Sequence, residues 1–145
     1  MSHKIFLGKQ GIIREIKYIL IGPEINGKEG IVHMKVDFVK KGVMLTVQMQ
    51  GEIDHHAAAE IRTKVDAYIT GSNVKYLVMD FSQVSFMDSS GIGMVMGRYQ
   101  NMKRLDGEVC IVGLTRSVKR ILDMSGLTGI IPVYENQEAF LEVVQ

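Results

Sequence analysis

The groups best suited to chemistry lie in two short clusters, Asp54-His55-His56 and Asp88-Ser89-Ser90. A serine beside a carboxylate and a histidine suggests a hydrolytic nucleophile, which also needs a positioned base and oxyanion donors. The nucleophile-elbow pattern Gly-x-Ser-x-Gly is absent: Met87 lies two residues before Ser89, and Asp88 two before Ser90. Asp54, His55 and His56 carry metal-ligating groups. Adjacent residues of an extended segment point opposite ways, however, and paired histidine ligands on a helix sit three or four apart. Gly91-x-Gly93-x-x-x-Gly97 lacks the lysine and serine of a phosphate loop and the last spacing of a dinucleotide fingerprint. These residues therefore point to no catalytic group, no metal and no cofactor, and a small serine hydrolase stays a minor alternative.

The elements that must position Asp88-Ser89-Ser90 are legible on both sides. Tyr76-Leu77-Val78-Met79 reads as a buried strand, and Ile92, Val95, Met96, Tyr99 and Met102 follow helical spacing. The serines thus fall where a helix begins, and there Asp or Ser side chains cap N–H groups that have no internal partner. The same groups and the helix dipole favour negative charge, a phosphate included. Gly91 and Gly93 are expected to keep the neighbouring surface low enough for a protein to approach. A well-capped helix is a sufficient alternative account of these residues taken alone.

Further along the chain, Val36–Val39 and the alternating Val43, Leu45, Val47 and Met49 predict a hairpin across Lys40-Lys41-Gly42. Gly51 to His56 leads into a helix with Ala58, Ile61, Val65, Tyr68 and Ile69 on its apolar side, closed by Gly71. A strand over Tyr76–Phe81 completes a crossover unit, so the second and third strands should be parallel. A helix over Ser90–Leu105 follows, then a strand over Val109–Val112. Thr115 is placed to cap a third helix, Ile130–Tyr134 to form an edge strand around Pro132, and Asn136 to cap a last helix. The expectation is an α/β domain with a mixed sheet of about five strands and about four helices. Functional groups of such sheets gather beyond the carboxyl ends of the parallel strands. Asp54 and Asp88-Ser89-Ser90 would then share one edge.

Residues 1–33 read differently. Gly22-Pro23 and Asn26-Gly27 are turn signals, Lys28-Glu29-Gly30 a polar linker. Ile12, Ile13, Ile16, Ile19 and Leu20 fit one helical face, whereas Ile19-Leu20-Ile21 also fits a strand. We expect residues 1–33 to be a leader or an expression-derived extension and residues 34–145 to be the domain. A genuine extra element packed on the domain is the alternative.

Composition bounds the rest. The 145 residues carry a net charge of +1, with 46% hydrophobic residues and no Trp, as a globular domain without a basic stripe or stacking platform for nucleic acid. The single cysteine, Cys110, lies in a buried-strand pattern and excludes an internal disulfide. No apolar run approaches the roughly 20 residues that span a bilayer. The expected location is the cytoplasm, with no membrane contact of its own. Arg116, Lys119 and Arg120 on the third helix read as a solvated face or as the rim of a partner interface. An exposed methionine or two near Ser89 would suit adaptable protein binding.

From Met34 onward the chain resembles the STAS domain family, and within it the anti-sigma factor antagonists of sporulation. The resemblance rests on Gly51-Glu52-Ile53-Asp54-His55-His56, Ser85-Phe86-Met87-Asp88-Ser89-Ser90-Gly91-Ile92-Gly93, Gly97-Arg98-Tyr99, Val118-Lys119-Arg120 and Asp123-Met124-Ser125-Gly126-Leu127. It implies a partner switch and no enzyme. The unmodified protein would bind an anti-sigma factor that is also a serine kinase, with its bound nucleotide, and so free a sporulation sigma factor. The kinase would phosphorylate Ser89, and a serine phosphatase would restore it. The implied partner-binding residues are Asp54, Asp88, Ser89, Ser90, Gly91 and Gly93. A STAS module of another switch, such as the general stress response, is the alternative within the family.

Overall fold

The computed structural model describes residues 2–7, 11–20 and 32–144. The turn and linker signals between Gly22 and Gly30 lie outside these residues. Seven strands form one sheet in chain order: β1 (Ser2–Leu7), β2 (Ile12–Leu20), β3 (Val32–Lys41), β4 (Met44–Ile53), β5 (Tyr76–Met87), β6 (Glu108–Val112) and β7 (Val133–Tyr134). β1 to β4 are an antiparallel meander, and β4 to β7 run parallel. The connections between the parallel strands are α1 (His55–Gly71), α2 (Ser89–Arg104) and α3 (Arg116–Ser125), and α4 (Gln137–Val144) ends the chain.

Side-chain alternation divides the sheet. Leu45, Val47 and Met49 of β4 join Leu77 and Met79 of β5 in a core shared with α1, α2 and α3. The intervening Val78, with Cys110 and Val112, packs under Phe140 of α4 on the opposite face. The mixed α/β architecture, the hairpin and the parallel crossover agree with the sequence expectation. The sheet has more strands than expected because residues 2–20 add β1 and β2.

β2 takes the strand alternative, so the helical one for Ile12–Leu20 does not hold. Its pattern is masked by buried charge. Glu15 and Lys17 are buried, yet each has a partner on α1: Lys64 and the Tyr68 hydroxyl, 2.9 Å away, for Glu15, and Glu60 for Lys17. Ile19 enters the core beside them. On the other face Arg14 pairs with Asp37 of β3, and this carboxylate raises the guanidinium pKa by hydrogen bonding and charge. Burial, then the Glu15 hydrogen bond, raises that of Tyr68.

Three local expectations change. Val43 lies in the turn before β4, where its carbonyl accepts from the Lys75 and Tyr76 N–H groups. The fifth expected strand shrinks to Val133–Tyr134, because Leu127–Gly129 winds into a 3₁₀ turn ahead of Pro132. Thr115 stands at the N-cap of α3 without capping it; its hydroxyl donates to the Val84 carbonyl at 2.9 Å. Asn136 does cap α4, accepting from Ala139 N–H at 2.9 Å.

Candidate functional site

β4 and β5 end in register, Ile53 beside Met87, and each passes straight into a helix through an aspartate. Asp54 has φ −91° and ψ −174°, and Asp88 has φ −93° and ψ −174°, so the two caps are conformational copies. Asp54 Oδ1 accepts from Ala57 N–H at 2.9 Å, and Asp88 Oδ1 from Ser90 N–H at 2.8 Å. The Asp88 N–H donates to the Ile53 carbonyl at 3.2 Å and stitches the two strand ends together. Two helix N-termini, each with partial positive charge, thereby open side by side on one edge.

Ser89 is the first residue of α2 and is exposed. Among the described residues its hydroxyl and that of Ser90 have no hydrogen-bond partner. An activated nucleophile has a base within hydrogen-bond reach, and among the described residues neither serine hydrogen-bonds to one. His55 and His56 occupy the first turn of α1 with ring centroids 4.0 Å apart. His55, Ala58, Ala59 and Arg62 of α1 face Ser90, Gly93 and Met94 of α2 across an open groove of about 370 Å³. The arrangement offers a bare hydroxyl, two carboxylates engaged as caps, and unsaturated helix N–H groups.

The two glycines differ. Gly93 is exposed with open space where a side chain would stand. Gly91, expected at the surface, is buried: a Cβ there would lie 2.1 Å from Met87 Cγ and 3.4 Å from Ile53 Cγ2. Its missing side chain lets α2 start directly on the end of β5. Thus Asp54, Asp88, Ser89, Ser90 and Gly93 share the edge, and Gly91 supports it from below.

Two residues beyond these shape the region. Arg98 of α2 is buried, with Nε 2.8 Å from Asp66 Oδ1 of α1 at an angle that makes an ion pair but no hydrogen bond. Burial lowers its pKa, Asp66 opposes this, and Arg62 adds to it. Phe86 stands 50% exposed three residues before Ser89. In sequence Val84, Ser85 and Phe86 alternate as though Phe86 were buried beside Val84; the register shift opposite Gly51 and Glu52 instead turns Ser85 and Phe86 both to solvent, so no local signal marked it.

The STAS domain family model matches residues 35–139. The Anti-sigma F factor antagonist of Paenibacillus polymyxa is 33% identical over 106 residues, which cover 73% of this chain and 91% of the relative. The Anti-sigma-B factor antagonist of Bacillus subtilis is 29% identical over 108 residues, 74% of this chain and 96% of the relative. Among solved structures, the anti-sigma factor antagonist SpoIIAA in its unphosphorylated form superposes with a TM-score of 0.66 at 29% identity, covering 76% of this chain and 95% of that one. The Bacillus cell fate determinant SpoIIAA in its phosphorylated form gives 0.63 at 28% identity, covering 74% and 98%.

Proposed function

The chain belongs to the STAS domain family, and we propose that it works there as the anti-sigma factor antagonist of a sporulation switch. Unphosphorylated, it binds an anti-sigma factor that is also a serine kinase and thereby releases the sigma factor. Phosphorylation of Ser89 by that kinase, with its bound nucleotide, ends the binding, and a phosphatase reverses the mark. It has no catalytic role of its own. The carrying observation is the exposed, unpartnered Ser89 hydroxyl at the start of α2, beside the paired aspartate caps.

The physics supports a switch at the surface. A phosphate adds about −1.5 to −2 charges at neutral pH. The N–H groups at the start of α2 accommodate that charge, so the fold need not change. A partner fitted to a bare hydroxyl meets instead a bulky dianion beside Asp88 and Asp54. Like-charge conflict at an interface costs several kcal/mol, enough to lower affinity by orders of magnitude. Similarity to both the unphosphorylated and the phosphorylated SpoIIAA structures is in keeping with this.

We read residues 34–145 as the family domain, whose model match starts at Lys35; β3 begins just before it at Val32, and β1 and β2 extend the same sheet. Among the described residues no helix is long and apolar enough to cross a membrane. We place the protein in the cytoplasm.

Incubation with the anti-sigma kinase and ATP, read by intact mass, tests the assignment. One phosphate should be added to the wild type and none to Ser89→Ala, which should still bind the kinase. Phosphorylation of that variant at Ser90 would overturn the choice of serine. The likeness to anti-sigma-B factor antagonists supports a second reading, a general stress-response switch. Capture of an anti-sigma B factor in preference to an anti-sigma F factor would select it.

A further inference from the structure

We propose that the partner surface runs from Ser89 over Phe86 and down the exposed face of α3. Phe86 is its apolar anchor, Met124 a second apolar contact, and Arg116 and Arg120 a basic rim. The occupant is the anti-sigma factor kinase of the reading above, on which this inference rests. The complementary face is an apolar recess bordered by carboxylates.

The argument begins with unequal strands. β5 has 12 residues and β6 has five, and their pairing ends at Asp80 beside Val112. Beyond that point β5 keeps β4 on one side only, with Phe86 beside Glu52. Two hydroxyls from the start of α3 take the place of a strand on the other side. Thr115 Oγ1 donates to the Val84 carbonyl at 2.9 Å, and Ser117 Oγ to the Ser85 carbonyl at 3.1 Å. Thr115 does this instead of capping its own helix. The end of β5, the start of α2 and the start of α3 are thereby held as one platform.

Phe86 lies one residue past this clamp, and its Cα is within about 11 Å of that of Ser89, the reach of three extended residues. The ring is 50% exposed on a backbone fixed from both sides. On α3, Arg120 and Met124 follow Ser117 at helical spacing and so continue the face that begins at β5, while Val118 and Leu122 are buried behind. Met124 is 81% exposed. Lys119 pairs with Asp123 at 2.7 Å, and Asp123 also accepts from Thr128, so its carboxyl is held below the usual range. Among the described residues, Arg116 and Arg120 have no carboxylate partner. A preorganised aromatic, an adaptable methionine and two unpaired arginines in continuity with Ser89 are residue types enriched at protein interfaces.

The test measures binding of purified anti-sigma F and anti-sigma B factors to wild type, Phe86→Ala, Met124→Ala and Arg120→Glu, each verified by circular dichroism and melting. Phe86→Ala should weaken binding at least tenfold and Arg120→Glu about fivefold, with a smaller loss at high salt. Arg120 is exposed, so its variant carries the test if Phe86→Ala fails to fold. Variants that all bind within twofold of wild type overturn the proposal while the switch itself stands. A wild type that neither binds nor is phosphorylated overturns both. Altered self-association with unchanged kinase binding would make the occupant a second copy and also overturn it.

Discussion

Replacing Gly91 by alanine tests whether α2 starts where it does because a side chain is missing. An ideal Cβ at Gly91 falls 2.1 Å from Met87 Cγ and 2.4 Å from its Sδ. Carbon atoms prefer about 3.5–4.0 Å, so the overlap is on the order of 1.5 Å. Met87 is 1% exposed, and the clash falls on the middle of its side chain, so the chain cannot swing into solvent. Overpacking of this kind costs ~1–3 kcal/mol. Alanine regains up to about 1 kcal/mol of helix propensity over glycine. The net expectation is a loss of about 1–2 kcal/mol, or roughly 3–6 °C in melting temperature for a chain of this size. Gly93 is the internal control: nothing lies within 4 Å of its Cβ position. Gly93→Ala should therefore keep the propensity gain and stabilise by ~0.5–1 kcal/mol. Urea unfolding followed by circular dichroism reads both. Met87→Ala combined with Gly91→Ala should cost less than the sum of the single changes, because the first makes room for the second. A Gly91→Ala variant as stable as wild type, or a strictly additive double variant, would refute the close-approach account.

Three more expectations follow from buried polar contacts. Glu60→Ala leaves the Lys17 ammonium, 8% exposed, without its carboxylate; urea unfolding should show a loss of ~2–4 kcal/mol, with much of it recovered when Lys17→Met is added. Thr115→Val removes the donor to the Val84 carbonyl at nearly constant shape; it should cost ~1–2 kcal/mol in the same assay, and Thr115→Ser much less. Burial pushes the Cys110 thiol up to about 12, well above its unfolded value. Because the folded value is the higher one, this contribution to stability is intact below about pH 8.5 and lost as pH rises toward the folded value. Ellman's reagent at pH 8 should react with Cys110 only after denaturation. The melting temperature should fall less steeply between pH 9 and 12 in Cys110→Ala than in wild type.

The parts of the fold that follow a single period were legible in the sequence. α1 shows its apolar face at Ala58, Ile61, Val65 and Ile69, all buried, and β4 shows one at Leu45, Val47 and Met49. β2 was ambiguous because two of its inward positions are charged. Ile13, Glu15, Lys17 and Ile19 alternate toward α1, but the middle pair reads as solvent-facing unless Glu60 and Lys64 are known to wait opposite. Buried ion pairs erase the alternation on which strand recognition depends, and their partners lie more than forty residues away. The same limit hid the role of Thr115. A threonine before a helix is the expected cap, and only the tertiary position of the Val84 carbonyl redirects its hydroxyl.

At the site, residue type announced position but not depth. Asp88 was readable as a cap, and Asp54 takes the same place before α1, because capping is local, settled within three residues of the cap itself. Their pairing followed from parallel topology, since neighbouring parallel strands of equal reach deliver their ends to one edge. Gly91 and Gly93 look alike in sequence, and the helical turn separates them: two residues along a helix is about 200° of rotation, so one glycine faces Ile53 and Met87 when the other faces solvent. Helix phase at the first turn thus decides which position tolerates a side chain. It also fixes Ser89, two residues before the buried Gly91, on the outward side, where its hydroxyl is exposed above the packing beneath it.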